Sequence, residues 1–250
     1  MRIQKRGVGA LQQRSSMIRT AFEEVPDCEQ VGFIETICEG SIWLEMMGYE
    51  FWGNASLSAA SWQAYQDGLE PGQEAVISVD SSGIDGALAV RVRRLDNDSN
   101  SDRPHFTGTI MMPRPEVGSF AGHPVVHMDG ISHMIINEEE FTSEEAEDKI
   151  RGFADDMGLD ALGIILCDIP RQDAPLPDIV TIRPLVYVRD SDTLVWEHGC
   201  ASGSTAVGYY LYQADNAHTE TQVRQPGGVI SINIKNGQPE LTGHVILRQF

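Results

Sequence analysis

A short strand, an acidic residue, a turn of small residues and then a helix occur twice in this chain, and that duplication constrains the fold more than any other feature. The first copy runs Glu50-Phe51-Trp52-Gly53-Asn54 and leads into Ala55–Tyr65, small and apolar residues at helical spacing with Asn54 as the expected N-cap. The second runs Glu197-His198-Gly199-Cys200-Ala201-Ser202-Gly203 and leads into an expected helix over Thr205–Tyr212. Strands flank both copies. A repeat of this kind predicts an α+β molecule built from two pseudo-symmetric lobes that face each other across a cleft. The length of 250 residues fits two lobes of about 100–150 residues each.

Residues 11–22 read as a short helix, and 31–37 with 42–47 as a strand pair around the turn Cys38-Glu39-Gly40-Ser41. Further strands are expected at 75–79, 87–93, 105–112, 125–128, 131–136, 162–167, 179–188, 193–197, 221–225, 229–234 and 244–247. The polar run 96–102 reads as an exposed loop. Thr142-Ser143-Glu144-Glu145 is a capping box, and the helix after it carries Ala146, Ile150, Phe153, Ala154 and Met157 on one face.

The net charge of -19 would on average repel a phosphate backbone or an anionic membrane surface, so neither nucleic acid nor membrane is an expected partner. No run of ~18 apolar residues is present. The basic N-terminal stretch lacks the continuous apolar segment of a secretory signal, and a cytoplasmic location is expected. The four cysteines Cys28, Cys38, Cys167 and Cys200 are scattered, with no C-x-x-C pair. No metal-ligating histidine pattern, phosphate-binding loop or dinucleotide fingerprint occurs, so neither metal nor cofactor is expected.

Two helix N-termini aimed into one cleft would trap a carboxylate through free N–H groups and the positive end of each dipole. An acid just before each turn would accept from an ammonium group. Together these suit a small amino-acid-like substrate, although the same pattern also serves as an ordinary capped strand–helix junction. Cys200, immediately before the second helix, is a candidate base, because a helix N-terminus lowers a thiol's pKa; a small apolar filler is the competing reading. Cys28 and Cys167 read as structural. His133 lies in an alternating strand and reads on its own as a structural histidine, whereas His198, next to Cys200, is placed to tune the thiol or touch a substrate.

Four segments carry a resemblance. Cys28-Glu29-Gln30-Val31-Gly32-Phe33-Ile34-Glu35, Glu50-Phe51-Trp52-Gly53-Asn54-Ala55, Trp196-Glu197-His198-Gly199-Cys200-Ala201-Ser202-Gly203 and Gln225-Pro226-Gly227-Gly228 resemble, in order and approximate spacing, motifs of the histidine racemases of staphylopine-type metallophore pathways. Their broader family is that of diaminopimelate epimerase. The resemblance implies that family's fold, with a first lobe over 1–115, a second over 116–241 and a C-terminal strand, 242–250, returning to the first. It implies cofactor-independent chemistry in which two cysteines face each other across the substrate Cα, one removing a proton and the other returning one. Transferred residue by residue, Cys200 is the second-lobe base and Glu197 receives the α-ammonium group with help from Gln30. Gly53, Asn54, Ala201 and Ser202 hold the carboxylate, Glu50 and His198 lie at the site, and His133 falls near a cleft histidine. A homodimer is compatible with the family.

Two departures stand out. Trp52 occupies the place of the first-lobe cysteine, and an indole N–H is only a donor. The family's opening strand also has no match. The leading expectation is a racemase- or epimerase-like isomerase with one retained thiol base. The alternatives are a one-base lyase, tautomerase or cyclase acting on a modified amino acid, and a non-catalytic ligand-binding homologue.

Overall fold

The computed structural model describes residues 8–25, 28–49, 51–96, 103–169, 176–177, 179–190, 192–215 and 217–248, with side chains from residue 13 onward. Four helices and fourteen strands lie among them, an α+β arrangement as expected.

The first half opens with α1 (Val8–Glu24), held to the sheet by Arg14, which pairs with Glu45 and lies 4.1 Å over the Phe33 ring. The hairpin β1 (Gly32–Cys38) and β2 (Ser41–Met46) follows, then α2 (Gly53–Gln66), β3 (Glu74–Ser81), β4 (Ala87–Arg94) and β5 (His105–Met111). The second half comprises β6 (Glu116–Phe120), β7 (His123–Met128), β8 (Ile131–Asn137), α3 (Ser143–Met157), β9 (Ala161–Cys167), β10 (Ile179–Val188), β11 (Thr193–Trp196), α4 (Ala201–Ala214), β12 (Glu220–Gln225), β13 (Gly228–Lys235) and β14 (Gln238–Ile246).

Most neighbouring strands are antiparallel. The exceptions explain the repeat seen in the sequence. Strands β8 and β9 pair in parallel around α3, and two further parallel pairs, β2 with β3 and β10 with β12, match the two copies. Parallel neighbours need a crossover, and α2 and α4 lie within those two crossovers. Each helix is wrapped by strands of its own half. Leu57, Ala59, Ala60 and Ala64 of α2 are buried, as are Ala206, Val207 and Leu211 of α4.

Strand β14 joins the halves. It pairs with β13 on one side and β5 on the other, so a single sheet path runs from β1 to β6. Gly108 and Gly243 face each other across the β5–β14 register, and Leu57 of α2 rests on both; a Cβ on either glycine would approach Leu57 to 2.9 Å or 3.0 Å. The main core therefore draws on both halves. A second core forms where α3 turns Ala146, Ile150 and Ala154 onto β8, β9 and β10. That helix is stopped at both ends: Thr142 and Glu145 make the reciprocal capping-box bonds, and Gly158 takes a left-handed C-cap with φ 65°.

Three expectations are corrected here. Asn54 does not cap α2: the helix already starts at Gly53, and Trp52 is its N-cap without a side-chain bond. Helix α4 starts at Ala201, four residues before the expected Thr205. Strand β6 lies where no strand is expected. Among the described residues no helix is long and apolar enough to cross a membrane.

Candidate active site

The two buried helices meet head to head. Trp52, before α2, has φ -128° and ψ 112°; Cys200, before α4, has φ -116° and ψ 105°. The two residues are thus structurally equivalent N-caps, one from each half. Gly53 makes the close approach possible, since a Cβ there would lie 2.8 Å from the Ala201 Cβ. A cleft of about 270 Å³ opens at this junction. Its lining includes Trp52, Gly53, Glu197, Cys200, Ala201 and Ser202, so six of the sequence-derived site residues come together. The first amides of each helix precede its hydrogen-bond ladder, the position at which a helix receives an anion.

Cys200 is buried and rigidly framed. Its Sγ accepts from the Gly203 amide at 3.3 Å and lies 3.6 Å from the Ser202 hydroxyl. Its backbone N–H donates to Gln225 Oε1 at 2.8 Å, Gln225 Nε2 donates to Ser204 Oγ at 3.1 Å, and that hydroxyl donates to the Cys200 carbonyl at 2.7 Å. Upstream residues are fixed as well. The Gly199 carbonyl accepts from Asn54 Nδ2 at 2.6 Å, across the junction between halves. The His198 carbonyl accepts from the Gly227 amide, and the His198 amide donates to Glu29. The Glu197 amide donates to the Pro184 carbonyl. The segment 197–200 is therefore held by side chains and backbone drawn from both halves.

Burial sets the electrostatics. Desolvation pushes the Glu197 carboxyl up to about 8; a hydrogen bond with Cys200 pulls the other way, and the charge of Glu29 adds to the rise. The Cys200 thiol lies well above its ordinary value, first from burial and then from the Glu197 charge, with Ser202 and Gly203 opposing. Without a cation nearby, the pair holds its protons. Glu197 Oε2 is buried with no hydrogen-bond partner among the described residues, an acceptor awaiting a donor.

The remaining expected residues lie elsewhere. His133 is fully buried one layer behind the cleft, its Nε2 2.9 Å from Ser202 Oγ, and burial lowers its pKa to about 3. A Cβ on Gly163 would meet its ring at 2.1 Å, so that glycine makes its space. His198 points away from the cleft and pairs with Glu29. Gln30 is half-buried outside the cleft lining, with Oε1 unpartnered among the described residues. Glu50 lies outside the described residues. Of the other cysteines, Cys28 is half-buried, Cys38 exposed and Cys167 sealed in the core with its thiol pushed up to about 12; none lines the cleft.

Sequence reasoning overlooked Gln225 and Glu29 as supports of the Cys200 segment, although both stand in motifs that it singled out. It also overlooked the rim, where Asp129, Asp160 and Asp190 line the cleft and, among the described residues, no Lys, Arg or His does.

The family model for the histidine racemase CntK N-terminal domain matches residues 21–248. The chain belongs to the histidine racemase family. A histidine racemase of Fusobacterium nucleatum is 32% identical over 225 residues, covering 87% of this chain and 78% of that protein. One from Staphylococcus aureus is 26% identical over 225 residues, covering 83% and 74%. Among solved structures, a predicted epimerase from Pseudomonas aeruginosa superposes with a TM-score of 0.64 over 98% of this chain and 88% of its own; at 13% identity this likeness concerns the fold. As a member of the histidine racemase family, the protein is an isomerase of the amino-acid racemase and epimerase type.

Proposed function

We propose that the protein is a cofactor-independent isomerase acting at the Cα of an amino acid with a cationic or aromatic side chain, histidine first, with Cys200 as thiol base. The observation that carries this is the position of Cys200: it is the one thiol lining the cleft among the described residues, at the head-on meeting of two helix N-termini, beside a buried acid. The substrate carboxylate would lie against the amides of Gly53, Asn54, Ala201 and Ser202. The ammonium group would replace the proton on Glu197, and the cation brought beside the pair would draw the thiol back towards thiolate. Phe51 and Trp52 offer the side chain an aromatic wall, and the three rim aspartates favour a cationic group over an anionic one. The relatives' names support histidine.

One observation favours a second reading. Trp52 stands structurally opposite Cys200, so chemistry on a single face, such as elimination, tautomerisation or cyclisation of a modified amino acid, also fits the cleft.

The test is Cα deuterium exchange in D2O with L- and D-histidine and a panel of other amino acids, for wild type and Cys200→Ala. Exchange that disappears in the variant supports the thiol base. Exchange of both enantiomers at the wild-type rate in Cys200→Ala refutes it. A wild type that binds amino acids without exchanging any of them is a binding homologue.

A further inference from the structure

Racemisation needs a proton removed from one face of Cα and another delivered to the opposite face. Cys200 accounts for one of these, and no second thiol lines the cleft among the described residues. Trp52 occupies the equivalent position in the first half, but its indole N–H cannot work as a base near neutrality.

The first-half wall is otherwise built from Gly48, Tyr49, Phe51, Gly53, Gly83, Met112 and Pro113. Of these described residues, Tyr49 alone carries a group that can give up a proton and take it back. Its backbone is also unusual. Tyr49 has φ 65°, a left-handed conformation that bulky L-residues rarely adopt. The three other non-glycine residues with positive φ among the described residues, Ala121, Asp192 and Asn236, sit in the turns β6–β7, β10–β11 and β13–β14, and none of them lines the cleft. Tyr49 also closes a tight turn, after β2, where its amide donates to the Met46 carbonyl at 3.1 Å, but this turn places the residue in the lining of the cleft. The aspartates of the rim, by contrast, belong to the half that already supplies Cys200.

We infer that Tyr49 is the second proton-transferring residue, standing in for the thiol that Trp52 displaces. This rests on the reading of Cys200 as base. In one direction the Cα–H bond breaks, its proton forms the S–H bond of Cys200 and the electron pair stays on the carbanion. The Tyr49 O–H bond then breaks and its proton forms the new Cα–H bond on the other face, leaving a phenolate. Thiol and phenolate return to their starting states by proton exchange with water, and nothing is oxidised or reduced. In the reverse direction the phenolate removes the proton and the thiol returns one.

The experiment compares wild type, Tyr49→Phe and Cys200→Ala in D2O with each enantiomer of histidine and of a panel of amino acids, following both deuterium content and chirality. Tyr49→Phe removes only a hydroxyl, and thermal melting confirms that the variant is folded. The expected result is that wild type inverts either enantiomer with deuterium in the product. Tyr49→Phe should lose roughly 10²-fold or more of the inversion rate, yet still exchange the enantiomer whose Cα–H faces Cys200. Cys200→Ala should lose inversion and the exchange of that enantiomer, keeping exchange only of the enantiomer whose Cα–H faces Tyr49. Inversion by Tyr49→Phe at the wild-type rate overturns the assignment. A wild type that exchanges one enantiomer without inverting it overturns the role of Tyr49 but leaves that of Cys200 standing. A wild type that exchanges no amino acid overturns both.

Discussion

Glu197 is a buried acid without a cationic partner among the described residues, and its cost to the folded state can be read against pH. Its carboxyl titrates near 4.3 in an unfolded chain and at about 8 in the fold. The native state therefore binds more protons than the unfolded one between those values, and stability falls as pH rises through that window. A shift of this size corresponds to about 5 kcal/mol when fully expressed above the folded pKa. Glu197→Gln keeps the shape and removes the charge. The variant should melt near the wild-type temperature at pH 4 and clearly above it at pH 9, while Cα exchange is lost. Equal melting temperatures at pH 9 would show that another group absorbs the charge. His133 acts with the opposite sign. Burial holds its imidazole neutral down to about 3, so the unfolded chain takes up protons first and stability is lost as pH falls from about 6.5 towards that value. The two windows overlap, and from about 4.3 to about 6.5 the opposing slopes cancel, so the two buried groups together place the most stable range there, and a ligand ammonium at Glu197 would extend it upward.

At the level of the element, the segment 197–200 is positioned by contacts that lie outside it, and Asn54 is the one that crosses between halves. Its amide, 2.6 Å from the Gly199 carbonyl, ties the start of α2 to the residue before the thiol. Asn54→Ala should cost about 1 kcal/mol of stability, with a larger loss in kcat than in KM because the thiol is less well placed. Gln225→Ala should cost more, about 1–3 kcal/mol, since it strands the buried Cys200 amide. If kcat in both variants stays within twofold of wild type, the segment is held by its remaining bonds. Much of this architecture can be read from the sequence. The turn Cys38-Glu39-Gly40-Ser41, the capping box at Thr142 and the two strand–turn–helix units lie where local chemistry puts them. The early start of α4 cannot be read that way. Ala201-Ser202-Gly203-Ser204 looks like a turn because glycine and serine are poor helix formers. Tertiary crowding decides instead: a Cβ at Gly203 would lie 2.8 Å from Ile165 Cδ1, so only a small residue lets the helix begin there. The same competition misplaces the cap of α2, where Asn54 spends its side chain on Gly199. Strand β6 was hidden by Gly118 and a largely exposed surface that leaves no alternation to read. The site residues converge legibly wherever a motif coincides with a helix start. The supporting shell of Gln225 and Glu29 depends on contacts far apart in sequence, and no local pattern announces them.

At the scale of the whole molecule, the seam between β5 and β14 decides whether the halves behave as one body. The sheet runs unbroken across it, and the main core contains residues from both sides, including Val79 and Ile110 from the first half and Ile165 and Val207 from the second. Leu57 lies at the centre of this arrangement, on Gly108 of one strand and Gly243 of the other. Leu57→Ala should cost about 3–5 kcal/mol through lost burial and a residual cavity. Where the loss is felt is the informative part. Strand β9 is remote from Leu57 in the chain; Leu162, Ile164 and Leu166 lie in the second core under α3, and Ile165 and Cys167 lie in the main core on the far half. If the halves unfold as a single cooperative unit, amide exchange in β9 proceeds by global opening, and Leu57→Ala should speed it by about two to four orders of magnitude, at about 1.4 kcal/mol per decade. If exchange accelerates in β2–β5 while β9 keeps its wild-type protection, the halves open separately and the seam is a hinge. Cooperative opening is the expected outcome, because separating the halves would unpair β14 from β5 and expose Leu57 together with the two glycines beneath it, surface that neither half can cover alone.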